Sequence, residues 1–269
     1  MKAKKLTSSP YLIWIAIFTF VPLAMVVYFS FTSDFGGFTT QNFAEAAKYI
    51  PSLVQSIWLG MIATILCLII GYPVAYIITK VSSSTQKTMV LLIMMPMWMN
   101  FLLRTYAWMT LLEDTGIINN LLSFIGLPRV RLINTDGAIV LGMIYNFLPF
   151  MIMPIHSVIV KVDGALLEAS SDLGANPVQS FFKVVFPLTL PGVISGITMV
   201  FLPAITTFAI SKLLGGDMYQ LVGDLIEQQF KSDHNWQFGS AISIIIIAVI
   251  LLFMKPLTSQ QENETGGIM

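Results

Sequence analysis

The fold of this chain is decided by residues 168 to 192, which form the stretch EASSDLGANPVQSFFKVVFPLTLPG. This stretch is polar in its first half, although long apolar segments lie on both sides of it. Gly174 is a natural left-handed stop for a preceding helix. Asn176 is a typical N-cap for a following helix, and Pro177 occupies the favoured first helical position. The stretch therefore predicts two short helices joined by a bend.

The flanks of this stretch complete the local prediction. Asp163 can cap the first helix, and Pro187 and Pro191 are expected to end the second helix at the membrane. Such a unit presents a short amphipathic surface. From local physics alone, this surface can equally well lie flat on the membrane interface.

The composition of the whole chain indicates an integral membrane protein. Hydrophobic residues make up 56% of its 269 residues and charged residues only 10%, with a mean hydropathy of +0.80. In soluble proteins about a quarter of the residues are charged. The formal net charge of zero argues against a nucleic-acid partner. Cys67 is the only cysteine, so the chain has no intramolecular disulfide.

Six apolar stretches are long enough to cross a bilayer as helices, which takes about 20 residues each. We place these spans at residues 11–31, 53–79, 88–112, 138–160, 193–211 and 238–254. They form one six-span domain over residues 11–257, with a cytoplasmic loop at about 161–190. Residues 1–10 are predicted to be a cytoplasmic N-terminus and residues 258–269 a disordered cytoplasmic tail. The first span is too long for a signal peptide and is expected to stay attached.

The distribution of lysine and arginine predicts the orientation of the spans. With a cytoplasmic N-terminus, eight of these cations fall inside and five fall outside. Lys2, Lys4 and Lys5 flank the first span, where positive charge most often fixes the topology. Both termini are therefore expected in the cytoplasm, and residues 168 to 192 then lie in the longest cytoplasmic loop.

The spacing of residues in this loop resembles the loop signature of ABC importer permeases. The matching positions are Glu168-Ala169-Ser170, Gly174, Val184 and Phe186-Pro187, followed by Pro191-Gly192. In that family the pattern is Glu-Ala-Ala, three residues, Gly, nine residues, an aliphatic residue, one residue and Leu-Pro. Ser170 replaces the second alanine and Phe186 the leucine, and both are mild departures. The resemblance implies an all-helical type I importer permease in a bacterial cytoplasmic membrane.

In that family the loop forms a coupling helix that docks into a groove of a separate ATPase. The resemblance assigns this role to Glu168, Ala169, Ser170, Asp172, Leu173, Gly174, Ala175, Asn176, Phe181 and Pro187. It implies a second permease chain, two ATPase subunits and an external substrate-binding protein or lipoprotein as partners. ATP and magnesium would be bound by the ATPases, and no cofactor or metal is expected in this chain. The sequence contains no GxxxxGK[ST] motif, which fits a permease and also fits a passive channel.

Three further stretches narrow the resemblance to the first permease subunit of spermidine/putrescine importers. They are residues 95 to 112, 148 to 170 and 202 to 230. Sister subfamilies that import thiamine, ferric iron, sulfate or opines share the coupling loop. The loop therefore indicates the type of transporter, and the cargo must be judged from the spans.

Arg104 is the charged residue inside the predicted spans that most needs an explanation. Asn100, Arg104 and Trp108 follow helical i, i+4, i+8 spacing and so form one polar stripe on the third span. A charged stripe in a membrane helix faces other helices or a watery pathway. We favour a structural arginine that donates to backbone carbonyls, with direct contact to the cargo as the alternative.

A polycationic cargo should meet carboxylates or aromatic faces, yet the predicted spans contain no acid. The outer loops carry nine acids against five cations, which favours a cationic visitor, although the positive-inside rule produces the same sign. The translocation path is predicted to include Trp98, Asn100, Arg104, Tyr106, Trp108, Tyr145, Thr206 and Thr207.

Two outer segments have the apolar periodicity of short amphipathic helices, one after the third span and one after the fifth. In an importer they would surround the mouth where a binding protein delivers cargo, and they can also simply lie at the membrane interface. The acids predicted for docking are Glu113, Asp114, Asp217, Asp224 and Glu227.

Two different classes of function remain as alternatives to an importer permease. A self-contained channel or secondary carrier would transport as a purified subunit, whereas a coupling loop predicts no transport without the ATPase. An intramembrane enzyme would need a catalytic pair within the spans, and no such pair is arranged convincingly in the sequence.

Overall fold

The computed structural model describes residues 13–33, 36–216 and 219–266, with side chains described as far as residue 255. Within these ranges the chain is helical, apart from turns, loops and an isolated bridge between Thr32 and Phe38. The all-helical fold predicted from the sequence is confirmed. The predicted cytoplasmic segment 1–10 lies outside the described residues.

The helices are numbered here along the described part of the chain. They are α1 Ile13–Ser30, α2 Gln41–Ala46, α3 Ile50–Thr79, α4 Ser83–Met94, α5 Phe101–Leu112, α6 Ile117–Phe124, α7 Asp136–Ile159, α8 Gly164–Asp172, α9 Pro177–Thr206, α10 Val222–Lys231 and α11 Trp236–Gly266. Five of them, α1, α3, α7, α9 and α11, are each long and apolar enough to cross a membrane.

The core of the bundle is formed by α3, α7 and α9, which pack against one another. Small residues let the backbones of α7 and α9 approach closely. A Cβ atom at Gly192 would lie 2.9 Å from the carbonyl oxygen of Pro154, and one at Gly196 would lie 2.7 Å from the Sδ atom of Met151. The loop between α7 and α9 is therefore attached to the most tightly packed helices of the molecule.

Helix α1 lies at the edge of the bundle, where it packs against α11. Only 6% of its span is buried, compared with 61% for α7. Its exposed side chains, such as Trp14 and Phe18, are apolar. This face requires a covering of lipid or of another membrane protein.

Residues 88–112 do not form the single helix predicted for the third span. Helix α4 continues through a 3₁₀ turn to Trp98, and the chain then bends by 89° before α5 begins. Asn100 starts the new helix, because its side-chain oxygen accepts the N–H of Leu102 at 2.8 Å. The whole stretch is apolar, so hydropathy cannot reveal the break.

The fifth span also differs from its predicted bounds of 193–211. Helix α9 begins at Pro177 and ends at Thr206, so the short second helix of the loop and the span are continuous. Pro187 and Pro191 lie inside α9 and do not end it. Pro187 directly follows a π-helical turn at Phe181–Val185, where the regular α-helical hydrogen-bond pattern is already interrupted.

The other boundaries lie close to the prediction, with one exception. Helices α3, α7 and α11 begin at residues 50, 136 and 236, compared with predicted starts of 53, 138 and 238. The exception is the tail, which was predicted to be disordered from residue 258. Helix α11 continues through this region as far as Gly266.

Candidate functional site

The loop between α7 and α9 contains the predicted left-handed turn. Helix α8 begins after Asp163, whose carboxylate accepts the N–H of Ala165 at 3.0 Å. It ends at Gly174, whose φ of +83° lies in the left-handed region. The N–H of Ala175 donates to the carbonyl of Ser170 at 3.1 Å, which closes the turn. The cap at Asp163 and the stop at Gly174 are both confirmed.

The second arm of the loop begins with a reciprocal cap. The N–H of Gln179 donates to the side chain of Asn176 at 2.8 Å, and the N–H of Asn176 donates to the side chain of Gln179 at 3.0 Å. Our sequence analysis identified Asn176 and Pro177 but missed Gln179. The spacing of Asn and Gln three residues apart is the signal that could have found it. We call residues 163–185, which contain both arms, the coupling hairpin.

A hydrogen bond between two serines joins the arms of the coupling hairpin. The hydroxyl oxygens of Ser170 and Ser180 lie 2.7 Å apart, and both side chains are buried. Because the Ser170 hydroxyl donates to the carbonyl of Leu167 at 2.9 Å, Ser180 is the donor to Ser170. The docking role of Ser170 stays a prediction, and its buried side chain joins the two arms of the hairpin.

Phe181 and Phe182 have different environments, although they are adjacent in sequence. The ring of Phe181 packs edge-on against Tyr72, with ring centroids 5.6 Å apart, and against Tyr76 at 5.4 Å. The hydroxyl of Tyr72 in turn lies 2.8 Å from the hydroxyl of Thr189 on α9. Phe181 therefore anchors the coupling hairpin to α3, and it is Phe182 that is exposed.

The outer face of the coupling hairpin is apolar at its centre and acidic beside it. Leu173 is 89% exposed, Val178 is 64% exposed and Phe182 is 62% exposed. Among the other residues predicted for coupling, Ala175 is partly buried, while Glu168, Ala169, Asp172, Gly174, Asn176 and Pro187 are exposed. Exposed apolar side chains grouped on one short segment are typical of an interaction surface. Their arrangement on a rigid hairpin suits a partner with a complementary groove.

Arg104 lies in the first turn of α5, immediately beyond the bend in the chain. Its side chain is buried, with a relative exposure of 8%, as the polar stripe predicts. Its Nε and Nη1 atoms are buried and find no acceptor in the part of the chain that the structure describes. Among the described residues, these two nitrogens therefore make none of the carbonyl contacts that a structural role within this chain would require.

A cavity of about 680 Å³ brings several of the predicted path residues together. Its wall includes Tyr106 on α5, Thr206 at the end of α9, and Thr207. It also includes Phe208 and Glu227, the second of which was predicted to dock a binding protein. Both threonines lie where α9 ends and the backbone becomes extended. The cavity thus combines hydroxyls, aromatic rings, one carboxylate and the ammonium groups of Lys212 and Lys231.

The remaining predicted path residues lie elsewhere. Trp98 is 74% exposed at the bend, and Asn100 is occupied as the cap of α5. The rings of Trp108 and Tyr145 pack against each other, with centroids 5.5 Å apart and an interplanar angle of 69°. This pair joins α5 to α7, so it supports the wall of the bundle and does not line the cavity.

Glu227 is held between two lysines. Its carboxylate lies 2.8 Å from the Nζ atom of Lys231 and 3.8 Å from that of Lys212. All three residues line both the 680 Å³ cavity and an adjoining polar cavity of about 460 Å³. The sequence analysis missed the two lysines, although the spacing of Glu227 and Lys231 indicates an i, i+4 ion pair.

Asp224 lies one helical turn before Glu227 and lines the polar cavity. Its carboxylate accepts the N–H of Leu221 at 3.1 Å and so caps α10. Burial raises the pKa of Asp224 to about 6, an effect opposed by the nearby Ser211 hydroxyl, by the hydrogen bond from Leu221 and by the charge of Lys212, and reinforced by Glu227. This carboxyl group can therefore change its protonation state near neutral pH.

The two predicted amphipathic helices at the outer end are present as α6 and α10. Glu113 and Asp114 lie in the turn between α5 and α6. The side chain of Asn119 fixes this turn by donating to the carbonyls of Glu113 at 3.2 Å and Val130 at 3.0 Å. Asp217 lies outside the described residues.

The fold and the sequence together define the family. Residues 71–258 match the family described as the binding-protein-dependent transport system inner membrane component, and the chain belongs to this family. The exposed coupling hairpin lies inside the matched region. The chain is thus a permease component of a transporter, as its resemblance to ABC importer permeases predicts.

Several relatives of this chain have names that state the same cargo. The chain is 38% identical to the spermidine/putrescine transport system permease protein PotB of Haemophilus influenzae over 94% of this chain and 93% of that protein. It is 36% identical to PotB of Escherichia coli over 90% of this chain and 91% of that protein. Among solved structures, a bacterial ABC transporter that imports the acidic polysaccharide alginate has a similar fold, with a TM-score of 0.82 at 18% identity. That match covers 97% of this chain and 96% of the other.

Proposed function

We propose that this chain is a permease subunit of an ATP-driven importer of the polyamines spermidine and putrescine. The names of the PotB relatives, at 36% and 38% identity over most of the chain, support this cargo. The observation that carries the proposal is the cavity at the end of α9, where Glu227 lies beside the aromatic rings of Tyr106 and Phe208. Carboxylates and aromatic faces are the groups that attract protonated amines. Because Lys231 and Lys212 already pair with Glu227, an amine of the cargo would take the place of a lysine ammonium group beside this carboxylate.

This cavity would allow a cation to be bound although the predicted spans contain no acid. Its carboxylate, Glu227, comes from α10, which lies outside the spans and is packed back against the bundle. Helix α9 ends at Thr206 on the cavity wall. The C-terminal end of a helix carries partial negative charge, which favours a nearby cation. Both features can hold an amine without an acid inside a span.

We further propose the assembly in which this subunit acts. A second permease would complete the path, and two ATPases that bind ATP and magnesium would grip the coupling hairpin through Leu173, Val178 and Phe182. An external binding protein would dock at the opposite end, near Glu113 and Asp114. Both termini would lie in the cytoplasm, and this chain would have no nucleotide site of its own.

Uptake in cells that lack their own polyamine importers tests this proposal. The complete importer should take up labelled spermidine, with competition by putrescine and none by thiamine, ferric iron or sulfate. Transport by this subunit alone would favour a self-contained carrier, and competition by thiamine or iron without spermidine uptake would overturn the cargo.

A matched pair of variants tests whether the cargo binds in the cavity that contains Glu227. Glu227→Gln removes the carboxylate that lines the cavity and should raise the KM for spermidine. Glu45→Gln removes an acid on α2, away from the cavity wall, and should leave KM unchanged. Equal KM values for the two variants would show that the carboxylate of Glu227 does not meet the cargo.

A further inference from the structure

A second cavity lies at the end of the bundle where α3 and α11 begin. It has a volume of about 350 Å³ and is bounded by α2, α3, α10 and α11. Phe43, Leu53, Val222, Leu225, Ile242 and Ile245 form most of its wall. It shares no lining residue with the cavity that contains Glu227.

The chemistry of this cavity excludes a polar or charged occupant. All its lining side chains are apolar or aromatic, so a hydrated solute would lose its hydrogen bonds on entry. Helix α10 turns Val222 and Leu225 toward this cavity and Asp224 and Glu227 toward the polar cavities. Two of the helices that form its wall, α3 and α11, are long and apolar enough to cross the membrane. Part of the wall of this apolar cavity therefore belongs to helices whose exposed faces would contact lipid.

A lysine lies next to the lining residues of the cavity in the sequence. Lys48 is exposed and stands in sequence between two lining residues, Ala47 and Tyr49. No ion pair of Lys48 is present among the described residues. Next to it, Ile50 lines the cavity and is 52% exposed. An apolar slot with an ammonium group at its edge matches a molecule that has an apolar tail and an anionic head.

We propose that this cavity binds one acyl chain of a membrane phospholipid, whose phosphate lies against Lys48. The tail would fill the space between α3, α10 and α11, and so support α10 from the side opposite Glu227. The inference rests on the position of the helices in a membrane and is independent of the cargo. Burial of apolar surface provides the affinity, and the lysine fixes which end of the lipid enters.

Photolabelling of the complete importer tests this inference. The complex is placed in bilayer discs that contain a phospholipid with a diazirine at the end of one acyl chain, and labelled peptides are mapped by mass spectrometry. Label is expected on the segments that contain Val222, Leu225, Ile242 and Ile245. Leu53→Trp, which fills the cavity, should abolish this label, and the smaller change Ile245→Phe should reduce it.

Val54→Trp is the matched control, because Val54 is 57% exposed and faces away from the cavity. It should leave the label unchanged, whereas Lys48→Gln should reduce it. Label that survives Leu53→Trp would overturn the proposal. The same holds if the cavity is labelled in the isolated subunit but not in the complex, because the second permease would then cover its mouth.

Discussion

Helix α9 connects two helical segments that use their apolar residues in opposite ways. At its start, the coupling hairpin exposes Leu173, Val178 and Phe182. At its end, the outer segment at residues 207–235, described apart from 217 and 218, buries Val222 and Leu225 of α10 against the bundle. Apolar side chains are thus exposed at the start of α9, whereas those beyond its end are buried and form cavity walls.

The polar groups of the two segments also differ, because neutral hydroxyls join the arms of the first and charged groups line the cavities of the second. The coupling hairpin is held together by neutral groups, since its arms are joined by two serine hydroxyls 2.7 Å apart. The outer segment places charges at its cavities, where Glu227 lies 2.8 Å from Lys231. In the proposed importer, a segment gripped by the ATPase would need a rigid shape, whereas one that encloses a cation would need charge. The following predictions, from the largest expected effect to the smallest, test this difference.

Gly223→Ala should cause the largest loss of stability, because it disrupts the packing of the outer segment. An added Cβ atom would lie 2.5 Å from the carbonyl oxygen of Thr206 and 2.6 Å from that of Thr207. Overpacking of this kind costs about 1–3 kcal/mol of unfolding free energy. Thermal melting of the purified complex measures the effect. In the control Gly164→Ala the Cβ atom meets nothing within 4 Å, and equal melting temperatures for the two variants would refute the prediction.

Gly174→Val should disrupt the coupling hairpin with a slightly smaller effect. The φ of Gly174 is +83°, where a residue with a side chain is strained by about 1–2 kcal/mol. We expect the variant to lose its ATPase during purification, because the exposed face changes shape. Gly164→Val is the control without positive φ. A variant at Gly174 that retains its ATPase and transports normally would show that the turn is not required.

Leu173→Ala should weaken ATPase binding without changing the stability of the subunit. Leu173 is 89% exposed, so its loss leaves no internal cavity. If it fills a groove of the ATPase, affinity should fall by about tenfold, or about 1.4 kcal/mol. Phe124→Ala, at an equally exposed residue of α6, should leave the affinity unchanged. Equal affinities for both variants would place the docking surface elsewhere.

Ser180→Ala should cost about 1 kcal/mol of unfolding free energy, because buried Ser170 loses a hydrogen-bond donor. The double variant Ser170→Ala/Ser180→Ala removes both partners and should recover most of the loss. Melting temperatures of the four proteins form a double-mutant cycle. Additive effects of the two substitutions would mean that the serines do not interact.

Asp224→Asn should give the smallest effect, and the size of this effect should depend on pH. The folded-state pKa of about 6 lies above the ordinary value of 3.8, so the folded protein binds more protons between these values. Asp224 therefore lowers stability as pH rises through this window, and the penalty is complete above about pH 6. Near pH 7.5 the variant should be more stable by less than about 1 kcal/mol, since a partly exposed group is screened by solvent. Melting curves at pH 4 and pH 7.5 should show this gain only at the higher pH.

The structure at the start of α9 could be predicted from the sequence better than the structure at its end, for a physical reason. In the coupling hairpin the deciding interactions are local, such as the cap at Asn176 and the left-handed Gly174, and the sequence predicts both. Phe181 is an exception, because its contacts with Tyr72 and Tyr76 involve a helix about a hundred residues away. A local pattern cannot distinguish it from exposed Phe182.

At the other end the deciding interactions are between distant segments. The N–H of Val222 donates to the hydroxyl of Ser56 at 2.8 Å, and Gly223 packs against the carbonyls of Thr206 and Thr207. These contacts place Glu227 on the cavity wall, whereas its sequence position predicts a docking acid. The burial of Arg104 follows from its helical spacing, but the bend before α5 does not, because apolar residues occur on both sides of it.

The π-helical turn at Phe181–Val185 has a consequence for insertions and deletions. A π turn holds more residues than the 3.6 of an α-helical turn, and it commonly arises when one residue is inserted into an α-helix. Deleting one residue here, such as Lys183, would restore regular α-helix, because the π turn holds its extra residue within a single turn. The face that carries Leu173 and Val178 would therefore keep its direction relative to the membrane. The same deletion in a regular α-helical part of α9 would rotate everything before it by about 100° around the helix axis. This turn is therefore the place in α9 where the loss of one residue disturbs the coupling hairpin least.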